Sequence, residues 1–170
     1  MACEIIAAEG AVFALWGKPS KADLDRVVER VEGVASASRS VVYITRVPVA
    51  APAPDDAVRQ HMNSLMPRFV KVCASYHVVL EGSGFLSALK RGILASLLQF
   101  GWRNGTFFVH ENEKQVLAKV ERSRRPDAEA ILNLANQKGL LTAPPPEDVP
   151  IPAAHQSPAA ARDARPSLTR

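Results

Sequence analysis

The chain has 170 residues, of which 47% are hydrophobic and 22% are charged, and its formal net charge at pH 7 is +4. A domain of this size buries about two thirds of its unfolded surface, so it needs no disulfide or metal to hold a core. The two cysteines, Cys3 and Cys73, are too few for a disulfide scaffold. So small a positive excess bears on solubility, and we expect no nucleic-acid partner.

The location of the protein is predicted from two stretches of sequence. The N-terminus lacks the basic and apolar regions of a secretory signal. The most apolar stretch, Phe85 to Phe100, is too short and too charged to cross a bilayer. We therefore expect a cytoplasmic protein without a membrane span.

The first elements predicted are a hairpin, a capped helix and a buried strand. Two short apolar runs before residue 17 are separated by Glu9-Gly10, which is typical of a hairpin or an angled strand pair. Ser20 and Asp23 approximate a capping box, and we expect the helix that follows to end at Gly33. Val41 to Ile44 is an unbroken apolar run, as expected of an interior strand covered on both faces.

Asp55 or Asp56 opens the next helix. Its apolar positions keep one phase through Pro67 as far as Cys73, which predicts a single helix kinked at the proline. A break one turn before the proline is the alternative. The run 78–80 then predicts a strand.

The second half of the chain predicts a strongly apolar helix over 85–100 and a strand over 106–109. Asn112 and Asp127 are predicted to cap two further helices, and Gly139 to close the last one. Strands that alternate with helices predict an α/β fold. We expect a mixed, largely parallel sheet of about five strands with four to five helices.

The predicted domain covers residues 1–142, and residues 143–170 form a proline- and alanine-rich tail. This tail holds seven of the 13 prolines and few residues that could build a core. Because burial cannot offset the entropy of ordering such a segment, we expect it to be disordered.

The segment Glu81-Gly82-Ser83-Gly84-Phe85 runs from a predicted strand into a predicted helix. Ligands gather at the carboxyl ends of strands in open α/β sheets, and a helix N-terminus favours an anion. A phosphate on Ser83 would suit this position, although Ser83 can equally serve only as a helix cap. The expected partner or ligand surface comprises Glu81, Gly82, Gly84, Phe85 and His110.

Catalytic motifs are absent from this segment. Gly82-Ser83-Gly84 lacks the spacing of a nucleophile elbow and of a phosphate-binding loop. His110 at a strand end could join Glu81 in a metal site or an acid–base pair, but such residues are more often solvated. His61 and His77 are expected to be packed or solvated. We predict no metal, no cofactor and no catalysis, and keep a hydrolase using His110, Glu81 and Ser83 as the enzymatic alternative.

The element order and the segment Glu81 to Phe85 resemble the STAS domain of bacterial anti-sigma-factor antagonists and their SpoIIAA-like relatives. In that family a strand ends in an acidic residue and a small residue, then a Ser or Thr followed by Gly opens an apolar helix. The resemblance implies that Ser83 matches the phosphorylated position of switchable members. It implies a non-enzymatic signalling role with a serine kinase or an anti-sigma-factor-like protein as partner. Because relatives of this family share a fold with lipid-binding proteins of the SEC14 type, the alternative is a small-ligand or lipid-binding domain with an apolar ligand beneath Phe85 to Phe100. A homodimer is a further possible assembly.

Overall fold

The computed structural model describes residues 3–48, 50–81 and 107–141. The strands in these ranges are β1 (Glu4–Ala8), β2 (Ala11–Leu15), β3 (Val41–Val47), β4 (Cys73–Leu80) and β5 (Phe107–His110). The helices are α1 (Lys21–Ser38), α2 (Asp56–Val72), α3 (Glu113–Lys119) and α4 (Arg125–Gln137). The predicted helix over 85–100 and the predicted tail over 143–170 lie outside the described residues.

The five strands form one sheet in the order β1-β2-β3-β4-β5. The pair β1–β2 is antiparallel, as the hairpin prediction requires, and the other three neighbouring pairs are parallel. Residues of α1 and α2 pack on one face, while residues of α3 and α4 pack on the other. The predicted α/β class with a mixed, largely parallel sheet is confirmed.

β3 is covered on both faces, as its unbroken apolar run predicted. Val41 and Tyr43 belong to the core under α1 and α2, whereas Val42 and Ile44 belong to the core under α3 and α4. Each of these four side chains has no exposed surface. Successive side chains of a strand alternate between the faces of a sheet, so every second residue of β3 faces α3 and α4.

Helix α1 begins as predicted, but its predicted end at Gly33 is wrong. Ser20 is the N-cap and forms the complete capping box with Asp23. The helix continues to Ser38 because Ala35, beyond the glycine, is still buried against the core. A glycine inside a helix costs about 0.5–1 kcal/mol relative to alanine, which this packing offsets. The helix ends instead where Arg39 adopts a positive φ of 67°.

Helix α2 runs without interruption through Pro67 from its N-cap Asp55. The prediction of a single helix is confirmed. Cys73 is not on the helix, however, because it begins β4 and pairs with Val41 of β3. The strand predicted over 78–80 is therefore five residues longer at its start, since hydrogen bonding to β3 extends the chain from Cys73 onward.

The last described helix differs from its prediction at the N-terminus. Asn112 caps α3 as expected, but α4 begins at Arg125, so Asp127 lies in its first turn and is not its cap. Pro126 follows directly after the start, where a missing backbone N–H costs nothing. Gly139 adopts a φ of 68° after the end of α4, which suits a C-terminal glycine. Within the described ranges no helix is both long and apolar enough to cross a membrane.

Candidate functional site

The described part of the predicted surface lies at the carboxyl edge of the parallel strands. Glu81 follows β4 directly, and its backbone N–H donates to the carbonyl oxygen of Val47 at 3.2 Å. His110 is the last residue of the parallel neighbour β5. The remaining predicted site residues, Gly82, Ser83, Gly84 and Phe85, lie outside the described residues.

Arg46 organises this edge, and the sequence analysis did not predict it. Its side chain is 4% exposed and forms an ion pair with Glu81. Its Nη1 donates to the carbonyl oxygen of Leu140 at 2.6 Å, and its Nε lies 3.6 Å from Oε1 of Glu113. One guanidinium thereby joins β3, the end of β4, the first turn of α3 and the chain after α4.

The electrostatics of Arg46 follow from its burial. Removal from water lowers the pKa of the Arg46 guanidinium, and the Glu113 carboxylate opposes this by favouring the charged form. An arginine stays protonated in proteins, so the edge contains a fixed positive charge. A buried charge is tolerated when it is paired and hydrogen-bonded, and Glu81 supplies part of that pairing.

A chain of three hydrogen-bonded side chains lies on the same face of the sheet as Arg46. Nδ1 of His77 lies 2.9 Å from Nε2 of His110, and Nε2 of His77 lies 2.9 Å from Oγ of Ser75. His77 has no exposed surface and His110 is 4% exposed. His77 also stacks on Phe108, with ring centroids 5.1 Å apart.

Both imidazoles of this chain are neutral near pH 7. Burial, with a smaller contribution from the neighbouring His110, lowers the pKa of His77 to about 3. Burial also lowers the pKa of His110 to about 4, with a smaller contribution from the Lys119 ammonium. Imidazoles with such low pKa values are weak general bases at neutral pH, because effective bases titrate near the working pH.

The sequence did not predict the hydrogen bond between His77 and His110 or the contacts of Arg46, because the partners lie far apart along the chain. His77 and His110 are 33 positions apart, and Arg46 and Leu140 are 94 positions apart. Their one sequence signal was a polar side chain within an otherwise apolar strand. Such a residue needs a buried partner, but the sequence does not say which one.

A shallow groove of about 390 Å³ lies between β5 and α3, beside His110. Its described lining comprises Phe107, Phe108, Val109, His110, Gln115, Ala118 and Lys119. Among the residues that the structure describes, no three His, Cys, Asp or Glu side chains are placed to hold a metal ion.

Comparison with known proteins adds no relative to these observations. No family model matches the chain, and no curated protein or solved structure matches it significantly.

Proposed function

We propose that this chain is a cytoplasmic, non-enzymatic regulatory module that binds a protein partner. The binding surface comprises Glu81, the residues 82–85 that follow it, and His110. Phosphorylation of Ser83 controls the complex. The observation that carries this proposal is the ion pair between Glu81 and the buried Arg46. The resemblance of Glu81 to Phe85 to the STAS motif supports the same assignment.

The ion pair supplies a physical basis for a phosphate switch. Ser83 follows Glu81 by two positions in the sequence. A phosphoserine carries about −1.5 to −2 charge and three acceptor oxygens, so it competes with the single charge of the Glu81 carboxylate for the Arg46 guanidinium. Arginine binds phosphate in a bidentate geometry, which favours the exchange.

Replacement of the Glu81 carboxylate by a phosphate at Arg46 would also affect the other groups that Arg46 contacts. The same guanidinium contacts Glu113 in the first turn of α3 and the carbonyl oxygen of Leu140. Withdrawing part of the Arg46 charge from these groups weakens the attachment of both elements to the sheet. A partner that binds the edge would distinguish the two states.

The partner expected for such a module is a serine kinase or an anti-sigma-factor-like protein. A kinase would phosphorylate Ser83, and the anti-sigma-factor-like protein would bind with an affinity that depends on the phosphate charge. A second copy of this chain is a further possible partner for the same binding surface, which would give a homodimer. Dimerisation would be measured by analytical ultracentrifugation of the unmodified chain and of the Ser83→Asp variant.

The switch is tested by pull-downs from the native lysate with tagged wild-type chain, Ser83→Ala and Ser83→Asp. Ser64→Asp is the matched control, because Ser64 is an exposed serine on α2. We expect Ser83→Asp to lose a partner by about tenfold or more, the effect of one charge-assisted contact. Wild type, Ser83→Ala and Ser64→Asp should retain it. Equal recovery by all four proteins would refute the switch.

A further inference from the structure

The groove between β5 and α3 combines an apolar surface with two polar groups. On the face of the sheet that α3 covers, Phe108 of β5 and Ala118 of α3 provide the apolar part of its lining. Lys119 and His110 provide the polar groups. A volume of about 390 Å³ lies at the small end of the range for small-molecule sites. It therefore suits a ligand with one short hydrocarbon chain better than a lipid with two acyl chains.

The groove carries the positive charge of Lys119, which has no ion-pair partner among the described carboxylates. Lys119 lies in the last turn of α3 and is exposed. No carboxylate of residues 3–48, 50–81 or 107–141 forms an ion pair with its ammonium. An anion in the groove would therefore gain a charge-assisted contact without displacing a partner within the described part of the chain.

His110 offers a second contact to the same anion. Its Nε2 is bound to His77, whereas its Nδ1 has no hydrogen-bond partner among the residues described. If Ser75 donates to Nε2 of His77, then Nδ1 of His77 donates to Nε2 of His110. A neutral imidazole carries one proton, so Nδ1 of His110 is then a donor. An anion in the groove favours this order of donors, from Ser75 through His77 to His110.

We propose that the groove binds an aliphatic carboxylate, a single medium-chain fatty acid anion. The carboxylate accepts hydrogen bonds from Nζ of Lys119 and Nδ1 of His110, and the hydrocarbon chain packs on Phe108 and Ala118. This site shares His110 with the proposed partner surface, whereas Lys119 and Ala118 belong to the groove alone. It does not depend on phosphorylation of Ser83.

Calorimetry with decanoate and the full chain tests the proposal. The matched variants are Lys119→Gln and Lys114→Gln, since Lys114 is exposed on the same helix but does not line the groove. Loss of one charge-assisted hydrogen bond costs about tenfold or more in affinity, so Lys119→Gln should bind about tenfold more weakly. Lys114→Gln should match the wild type. Decanol, which has the same chain and no charge, should bind about tenfold more weakly than decanoate.

Two further measurements distinguish the groove from other apolar surfaces. Ala118→Trp, at an exposed lining position, should fill the groove and abolish binding while the unfolding midpoint is retained. In a chain with ¹⁵N-labelled histidine, decanoate should shift the Nδ1 resonance of His110. The absence of decanoate binding, equal affinity for decanoate and decanol, or equal affinities of the two lysine variants would each overturn the proposal.

Discussion

Arg46 and Leu140 are 94 positions apart in the sequence, yet Nη1 of Arg46 donates to the carbonyl oxygen of Leu140 at 2.6 Å. The contact ties the chain after α4 to the end of β3. Since Arg46 also binds Glu81, the last described segment and the proposed interaction surface share one buried charge. Perturbing the charge at either place affects the other.

The buried position of Arg46 predicts a large cost for its removal. Arg46→Gln leaves the carboxylates of Glu81 and Glu113 without their shared cation, and breaking such a buried pair costs about 3 kcal/mol or more. Arg68 is the control, because it pairs with Glu32 at 2.6 Å with side chains 45% and 37% exposed. Arg68→Gln should cost no more than about 1 kcal/mol. Urea unfolding measures both free energies, and equal values would contradict the role of Arg46.

The His77–His110 pair predicts that acid destabilises the fold. A histidine in the unfolded chain has a pKa near 6.5, whereas burial lowers the pKa to about 3 for His77 and about 4 for His110. Between these values the unfolded chain binds protons that the folded chain does not. The free energy of unfolding therefore falls as the pH drops below about 6.5, by up to about 1.4 kcal/mol per pH unit for each histidine.

Urea unfolding between about pH 5 and pH 7 measures this slope. The double variant His77→Gln/His110→Gln should lose most of it, because glutamine does not titrate. Its overall stability is not the readout, since the comparison is between slopes. A double variant that keeps the wild-type slope would show that other groups are responsible.

Two glycines predict opposite effects of the same substitution. Gly10 has a φ of +73°, and an added Cβ would lie 2.3 Å from Oδ2 of Asp127. The Asp127 side chain can move, but the left-handed backbone still costs about 1–2 kcal/mol for alanine. Gly33 lies inside α1, with nothing within 4 Å of an added Cβ.

We therefore expect Gly10→Ala to destabilise the protein and Gly33→Ala to stabilise it by about 0.5–1 kcal/mol. Thermal unfolding of the two variants beside the wild type gives both signs in one experiment. If Gly33→Ala lowered the midpoint, the continuous α1 described above would be wrong.

Local sequence determined the features that depend on a few neighbouring residues. Ser20 and Asp23 are three positions apart, and their reciprocal hydrogen bonds form within one helical turn. The β1–β2 hairpin and the cap at Asn112 are of the same kind. The apolar run of β3 likewise predicted burial on both faces, because only an interior strand hides every residue.

Tertiary structure decided the features that depend on strand register and on packing between distant segments. Gly33 stays inside α1 because Ala35 beyond it packs on the core. His77 meets His110 because β4 pairs with β5 in a register that sets the two rings diagonally on one face. The sequence determined that these strands and helices form. Only the packing of segments that are tens of residues apart decided which polar side chains meet. A buried polar group needs a hydrogen-bond partner, but that partner can come from any part of the chain.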